Sequence, residues 1–253
     1  MPTQLPQVTR TYQNHTLDST RWQQFQPRSD DIVITTSIKS GTTWMQEIVR
    51  QLIFSGELAA PERDNMALWQ VSPWLEWPVL PRDVALGTLA AQRHRRFIKS
   101  HLPLDGLLYF PQVKYILVGR DARDVAMSLW NHYAEFNEGV FEGTNSLPER
   151  VGDPFPLPPS DIHAFWQDWI GRGWFAWESE GYPFWGNLSH TQSWWPYRIC
   201  PTFSLSITTT SSPIWLERFA ALLVFWRFRW TTTPCFRSCR RLVYTSCASG
   251  RTA

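Results

Sequence analysis

The stretch from Asp31 to Leu52 constrains the fold of this chain more than any other. Asp31-Ile32-Val33-Ile34-Thr35-Thr36 is rich in β-branched residues and nearly continuous in apolar character, as expected of a strand buried on both faces. Ser37 to Gly41 reads as a turn. From Thr42 onward Trp44, Ile48 and Leu52 recur every four residues, with Met45 and Val49 beside them, which predicts an amphipathic helix. Strand, short glycine-containing loop and helix form the entry unit of a parallel α/β sheet. Later segments repeat the alternation. Arg96 to Ser100 reads as a short strand ending at a polar position, and Val113 to Val118 as a strand closed by Gly119-Arg120. Asp121 is placed to cap a helix carrying Val125, Met127, Ser128, Leu129 and His132, with Asp124 one turn on, near the positive helix end. Asp161 to Ile170 predicts another helix, and shorter ones are expected around Leu17 to Phe25 and Leu104 to Phe110. Pro61 to Pro81 reads as loop with short helices, and Gly139 to Pro159 as loop. The sum is an α/β fold of three layers, α/β/α, around a central, mainly parallel sheet.

Composition narrows the function classes. At 253 residues, 43% hydrophobic and 18% charged, the chain suits one large domain or two small ones and excludes a disordered or fibrous protein. A net charge of +2 does not call for nucleic acid or an anionic membrane as partner. No apolar run approaches the roughly 20 residues of a membrane span, and the first residues lack the apolar core of a secretory signal. A cytoplasmic protein is therefore expected. Seven of the 16 Trp lie between Trp166 and Trp195, which suggests a heavy aromatic core or pocket wall. Only Lys39, Lys99 and Lys114 are lysines, against 21 Arg, so each lysine is a candidate for a specific role.

Lys39-Ser40-Gly41-Thr42-Thr43-Trp44 sits at the strand-to-helix junction. Free backbone N–H groups and the helix dipole converge there and favour an anion. Gly41 allows close approach, the hydroxyls of Ser40, Thr42 and Thr43 add donors, and Lys39 adds a full charge. The bland alternative is an ordinary strand-helix turn, since Ser and Thr are common helix caps. A Walker A loop requires Gly-x-x-x-x-Gly-Lys-Ser/Thr. Here Lys39 precedes the glycine and Thr36 stands where the first glycine would be, which disfavours an ordinary ATP or GTP site. The histidines lack ligand-like spacing, and Cys235-x-x-x-Cys239 has no second pair, so no metal is expected.

The Lys39 to Trp44 segment closely resembles the 5′-phosphosulfate loop of the soluble, cytosolic-type sulfotransferases. Those enzymes use 3′-phosphoadenosine 5′-phosphosulfate as sulfuryl donor. Lys99-Ser100-His101-Leu102-Pro103 is similar to the family's K-x-H-L-P catalytic segment, and Gly119-Arg120 through Ser128 to its 3′-phosphate segment. His190-Thr191-Gln192-Ser193-Trp194-Trp195 is a weaker fourth match. The resemblance covers roughly residues 10 to 198 and implies a P-loop-NTPase-like sheet. It implies His101 as general base, with Lys39 and Lys99 neutralising charge around the transferred group. The donor's binding residues would be Lys39, Ser40, Gly41, Thr42, Thr43, Arg120 and Ser128, with Trp44 stacking on adenine. The physics is compatible: a neutral imidazole titrates near physiological pH, and Lys99, two residues before His101, projects on the same face of an extended strand. The acceptor would be a small, apolar alcohol, phenol or amine, with no nucleic acid, membrane or metal involved.

The resemblance ends after Arg198. From Ile199 the chain holds seven Arg, one Glu, no Asp and no Lys, with hydroxyl runs such as Thr208-Thr209-Thr210-Ser211-Ser212. A neighbouring reading frame with allowed codons yields L-P-N-F-L-F-V-H-Y-N-D and then a helix-like string, much closer to the family pattern. Two segments are therefore expected: residues 1–198 as the sulfotransferase-like domain, and 199–253 as an out-of-frame, poorly ordered tail lacking a recognisable R-K-G segment. Two other readings stand beside the sulfotransferase: a damaged, non-catalytic relative, and, further off, a P-loop kinase of a small molecule.

Overall fold

The structure is a computed structural model that describes residues 4–54 and 66–208. Its centre is a four-stranded sheet in the order β2-β1-β3-β4, with β1 at Ile32–Thr36, β2 at Phe97–Ser100, β3 at Lys114–Arg120 and β4 at Phe203–Thr208. All three pairings are parallel. Ile32 lies opposite both Phe97 and Lys114, and Thr35 opposite both Ser100 and Leu117, so β1, β2 and β3 end together at one edge. In open parallel sheets that carboxyl edge is where ligands bind. Every residue of β1 is buried, as its unbroken apolar run predicts.

Helix α1, Thr42–Ile53, covers one face. Its Met45, Ile48, Val49, Leu52 and Ile53 pack with Ile32, Ile34, Phe97, Ile116 and Val118. The alternate strand residues Val33, Ile98, Tyr115 and Leu117 turn to the other face, where Leu75, Ala85, Leu89 and Trp194 meet them. Two short elements, α2 at Leu68–Val71 and α3 at Arg82–Ala91, lead into β2. A buried bidentate ion pair joins the entries of β1 and β2: Arg96 donates to both Asp31 oxygens, at 2.7 and 2.5 Å. Removing one partner of such a pair leaves an uncompensated buried charge.

Beyond β3, α4 at Ala122–Ala134, α5 at Glu138–Asn145 and α6 at Ile162–Gly171 build a third, aromatic-rich cluster, while α7 at Asn187–Trp194 sends Trp194 into the core with Val33 and Tyr115. Asp121 caps α4 by accepting the Arg123 N–H at 2.9 Å, as the sequence predicts. Two local expectations fail. Leu104 to Phe110 is a chain of turns, not a helix: Pro103 precedes it, and Gly106 lies so close beneath Tyr12 that a Cβ there would meet the ring at 2.3 Å. Within the expected loop after residue 139 stands α5, whose start is fixed by the Asn137 side chain accepting the Val140 N–H at 3.2 Å. Two glycines in eight residues hide that helix from propensity.

The sheet continues past Arg198, because β4 pairs with β3 from Tyr115↔Phe203 to Arg120↔Thr208. The rest of the expected tail, residues 209–253, lies outside the described residues. Among the described residues no helix is long and apolar enough to cross a membrane, and no group of three or more His, Cys, Asp or Glu side chains is placed to hold a metal ion.

Candidate active site at the carboxyl edge of the sheet

Between β1 and α1 the backbone turns through two left-handed residues, Lys39 at φ 60° and Gly41 at φ 99°. Gly41 adopts that conformation freely, whereas for Lys39 it is uncommon and strained. Such strain persists only where surrounding contacts hold it. Here they do. Ser40 is fully buried with its hydroxyl 2.6 Å from that of Ser37, and Asn187, at the start of α7, donates to both hydroxyls. Thr42 Oγ1 sits 2.5 Å from Thr36 Oγ1. The hydroxyls of Ser40 and Thr42 thus brace the turn from inside, while Thr43 is exposed. Gly41, the N-cap, makes no side-chain cap bond, and the first turn of α1 holds no acidic residue. Its leading N–H groups have no intrahelical carbonyl to meet, and Gly41 offers no side chain to cap them. Trp44 is half-buried against the α1 face of the core.

One strand over, β2 delivers Lys99 and His101. The His101 ring is 3% exposed, and its Nδ1 lies 2.8 Å from the carbonyl oxygen of Thr36. A carbonyl only accepts, so Nδ1 carries the proton and the basic lone pair is at Nε2. Trp74 meets the imidazole edge-on at 4.8 Å, and Trp185 lies at 5.1 Å. Burial lowers the histidine's pKa well below its ordinary value, and the Lys99 charge lowers it further. Lys99 Nζ sits 4.3 Å from the Trp74 ring centroid. Burial brings its pKa down to about 8, with Glu76 opposing and Lys39 reinforcing the drop. Lys39 is itself lowered by burial and then by Arg120. Lys39, Lys99 and His101 therefore form one electrostatically connected group at the carboxyl edge.

The carboxyl end of β3 adds Arg120. Its Nη1 donates to the Lys39 carbonyl at 2.9 Å, and its Nε lies 4.0 Å from Asp124. Arg120 thus ties the second turn to the first. Ser128 lies about two turns along α4 and is half-buried.

Sequence reasoning missed Glu76 and Asn187. Glu76 is fully buried; its Oε1 accepts from Trp22 Nε1 at 2.8 Å and from the Ser100 hydroxyl. A carboxylate in a Pro- and Trp-rich loop carries no pattern to reveal it. Asn187 acts from 147 residues away on Ser40, so nothing local points to it.

A family model for the sulfotransferase domain matches residues 29–205. A glycolipid sulfotransferase of Mycobacterium tuberculosis is 42% identical over 149 residues, 57% of this chain and 44% of that protein. Sulfotransferase 1B1 of Canis lupus familiaris is 32% identical over 177 residues, 68% of this chain and 51% of that protein. The chain spans about half the length of these relatives. Among solved structures, a mouse sulfotransferase complexed with PAP superposes with a TM-score of 0.62 at 16% identity, covering 93% of this chain and 71% of that one. Retinol dehydratase in a complex with retinol and PAP gives 0.60 at 20% identity, covering 88% and 67%. The parallel sheet with flanking helices is the P-loop-like fold of those proteins. Since the family model runs from before β1, through the β1–α1 turn and α1, and into β4, the chain belongs to the sulfotransferase family.

Proposed function

We propose that this chain transfers a sulfuryl group from 3′-phosphoadenosine 5′-phosphosulfate to a hydroxyl or amine of a small acceptor. The observation that carries the reading is the pairing of an uncapped α1 N-terminus beside Lys39 with a buried imidazole whose basic nitrogen is fixed at Nε2. Bound at that edge, the donor supplies the activated sulfuryl group. The chain's part is positioning and charge stabilisation, which dominate in-line transfers of this kind. The amides of Gly41, Thr42 and Thr43, with Lys39, take the 5′ anion. Ser40 serves through its backbone and the bracing of the turn, since its side chain is buried. Arg120 and Ser128 take the 3′-phosphate, and Trp44 offers a face to the adenine. His101 Nε2 accepts the acceptor's proton, and Lys99 offsets negative charge on the sulfuryl oxygens.

The wall around His101 supports an apolar acceptor, because Trp74 and Trp185 flank the imidazole. The names of the related proteins agree in kind: a glycolipid sulfotransferase, and solved structures holding retinol or androsterone. A hydroxylated, largely apolar molecule is the acceptor class that we favour. The out-of-frame origin of residues 199–253 belongs to the same proposal, and DNA with no neighbouring frame that continues the family pattern would remove it.

Transfer of labelled sulfate from the donor to a panel of steroid, phenol and glycolipid acceptors tests the reading. His101→Ala should lower turnover by about 10²–10⁴ and leave donor affinity nearly intact. Full turnover in that variant would exclude His101 as the base. Tight binding of PAP without transfer by the unaltered chain would favour a non-catalytic relative. Because burial and Lys99 keep His101 neutral, the acid limb of the rate should lie well below the ordinary histidine range. Turnover should decline above about pH 8 as Lys99 loses its proton.

A further inference from the structure

We infer that Glu180 is a positioning residue for the anion turn: its carboxylate pins the start of α7 and, through Asn187, holds the left-handed turn at Lys39 and Gly41 in shape. Helix α7 starts as α1 does, on a glycine with no side chain to cap it. At α7, however, the preceding loop supplies the missing acceptors. Glu180 is buried; its Oε2 accepts the Asn187 N–H at 2.8 Å, and its Oε1 accepts the Ser189 N–H at 3.0 Å and the Ser189 hydroxyl at 3.1 Å. Buried Glu178 accepts the Gly186 N–H at 3.1 Å. Two carboxylates thus meet the positive end of α7, where acidic groups stabilise a helix. The fit is tight, since a Cβ on Gly186 would meet Glu180 Oε1 at 2.5 Å.

Asn187 carries that hold into the site. Glu180 fixes its backbone, while its side-chain Nδ2 donates to Ser37 Oγ and, at 3.4 Å, to Ser40 Oγ. The two serine hydroxyls close the triangle with their own contact of 2.6 Å. Ser37 and Ser40 bracket Lys39, whose φ of 60° persists only with support from its surroundings. Asn187 gives that support from outside the turn, and it can do so only while the start of α7 stays in place.

Further along α7 the ties run to other parts of the site. His190 Nε2 lies 3.0 Å from Thr35 Oγ1, Ser193 Oγ accepts the Leu104 N–H at 2.9 Å, and Trp194 Nε1 donates to the Leu102 carbonyl at 3.3 Å. One helix therefore holds the anion turn at its first residue and the segment after His101 from its last turn. Glu180 acts on the first of these contacts, so its loss should show in the anion turn and not at the base. That the turn receives the donor rests on the proposed function; that Glu180 shapes the turn does not.

Amide hydrogen exchange on the ¹⁵N-labelled full chain tests this, with Glu180→Met, Asn187→Ala and the double variant. Glu180→Met should speed exchange at the Ser40 amide by about 3–10-fold, the worth of one lost hydrogen bond. It should add nothing further at Ser40 once Asn187 is Ala, because the two act in series. Adenosine 3′,5′-bisphosphate should weaken by a similar factor in Glu180→Met, with the KM for acceptor unchanged. Should Glu180→Met fail to fold, Glu180→Asp, which keeps the charge and withdraws it by one methylene, carries the same test. Faster exchange at Asn187 and Ser189 with Ser40 unmoved would overturn the inference, since Glu180 would then serve α7 alone. Independent, additive effects of the two substitutions on Ser40 would overturn it as well. If Ser40 responds as expected and the unaltered chain binds no nucleotide, the inference stands and the sulfuryl-transfer reading fails.

Discussion

The turns after β1 and β3 leave adjacent parallel strands at the same edge, and both lead into a helix, yet their helix N-termini are in opposite states. After β1 the N-cap is Gly41, which offers no side chain to cap α1, and no acid stands in its first turn. After β3 the N-cap is Asp121, whose carboxylate accepts the Arg123 N–H and pairs with the Arg123 guanidinium at 2.9 Å, and Asp124 follows in the first turn. The first helix end is open to an anion; the second already holds its own. Under the proposed function, the two anionic groups of the donor are met by different means, by backbone amides and Lys39 at the first turn and by the Arg120 side chain at the second. The Arg120 bond to the Lys39 carbonyl fixes the two in register.

That contrast yields a graded set of expectations. Lys39→Ala removes the charge at the open end and should cost about 10²–10³ in turnover, read as kcat with saturating donor. Arg120→Ala removes a charged fork as well as the tie to Lys39, and should weaken adenosine 3′,5′-bisphosphate by about 10–100-fold. Retention of full affinity would show that the second turn takes no part. Gly41→Ala forces a β-carbon onto a residue at φ 99°, which should cost about 1–2 kcal/mol of stability in a denaturant titration and weaken the nucleotide by up to about tenfold. Asp121→Ala opens the closed helix. It should lower the melting temperature by only about 2–4 °C and leave nucleotide affinity unchanged.

Both turns were legible in the sequence, because each is a local construction. A β-branched run, a glycine and a helical period mark the first, and a strand followed by an Asp cap marks the second. The three-layer parallel architecture follows from the same alternation. What brings the first turn into its strained shape was not legible. Ser40 reads as a donor to a ligand, yet its hydroxyl is turned inward by contacts with Ser37 and Asn187. Glu76 likewise depends on Trp22 and Ser100, from two separate parts of the chain. The aromatic residues show the same limit: Trp22 fills core while Trp74 and Trp185 face His101, and composition cannot separate the two uses. Turns replaced the expected helix at 104–110 for a tertiary reason as well, the Tyr12 ring lying against Gly106.

Calorimetric titration of the folded chain with adenosine 3′,5′-bisphosphate, run in parallel on Gly41→Ala and Asp121→Ala, goes most directly to the claim that the open turn is the anion site. The account predicts one-to-one binding that weakens in Gly41→Ala and is unchanged in Asp121→Ala. Binding that survives in Gly41→Ala and falls in Asp121→Ala, or no binding to the folded unaltered chain, would contradict it.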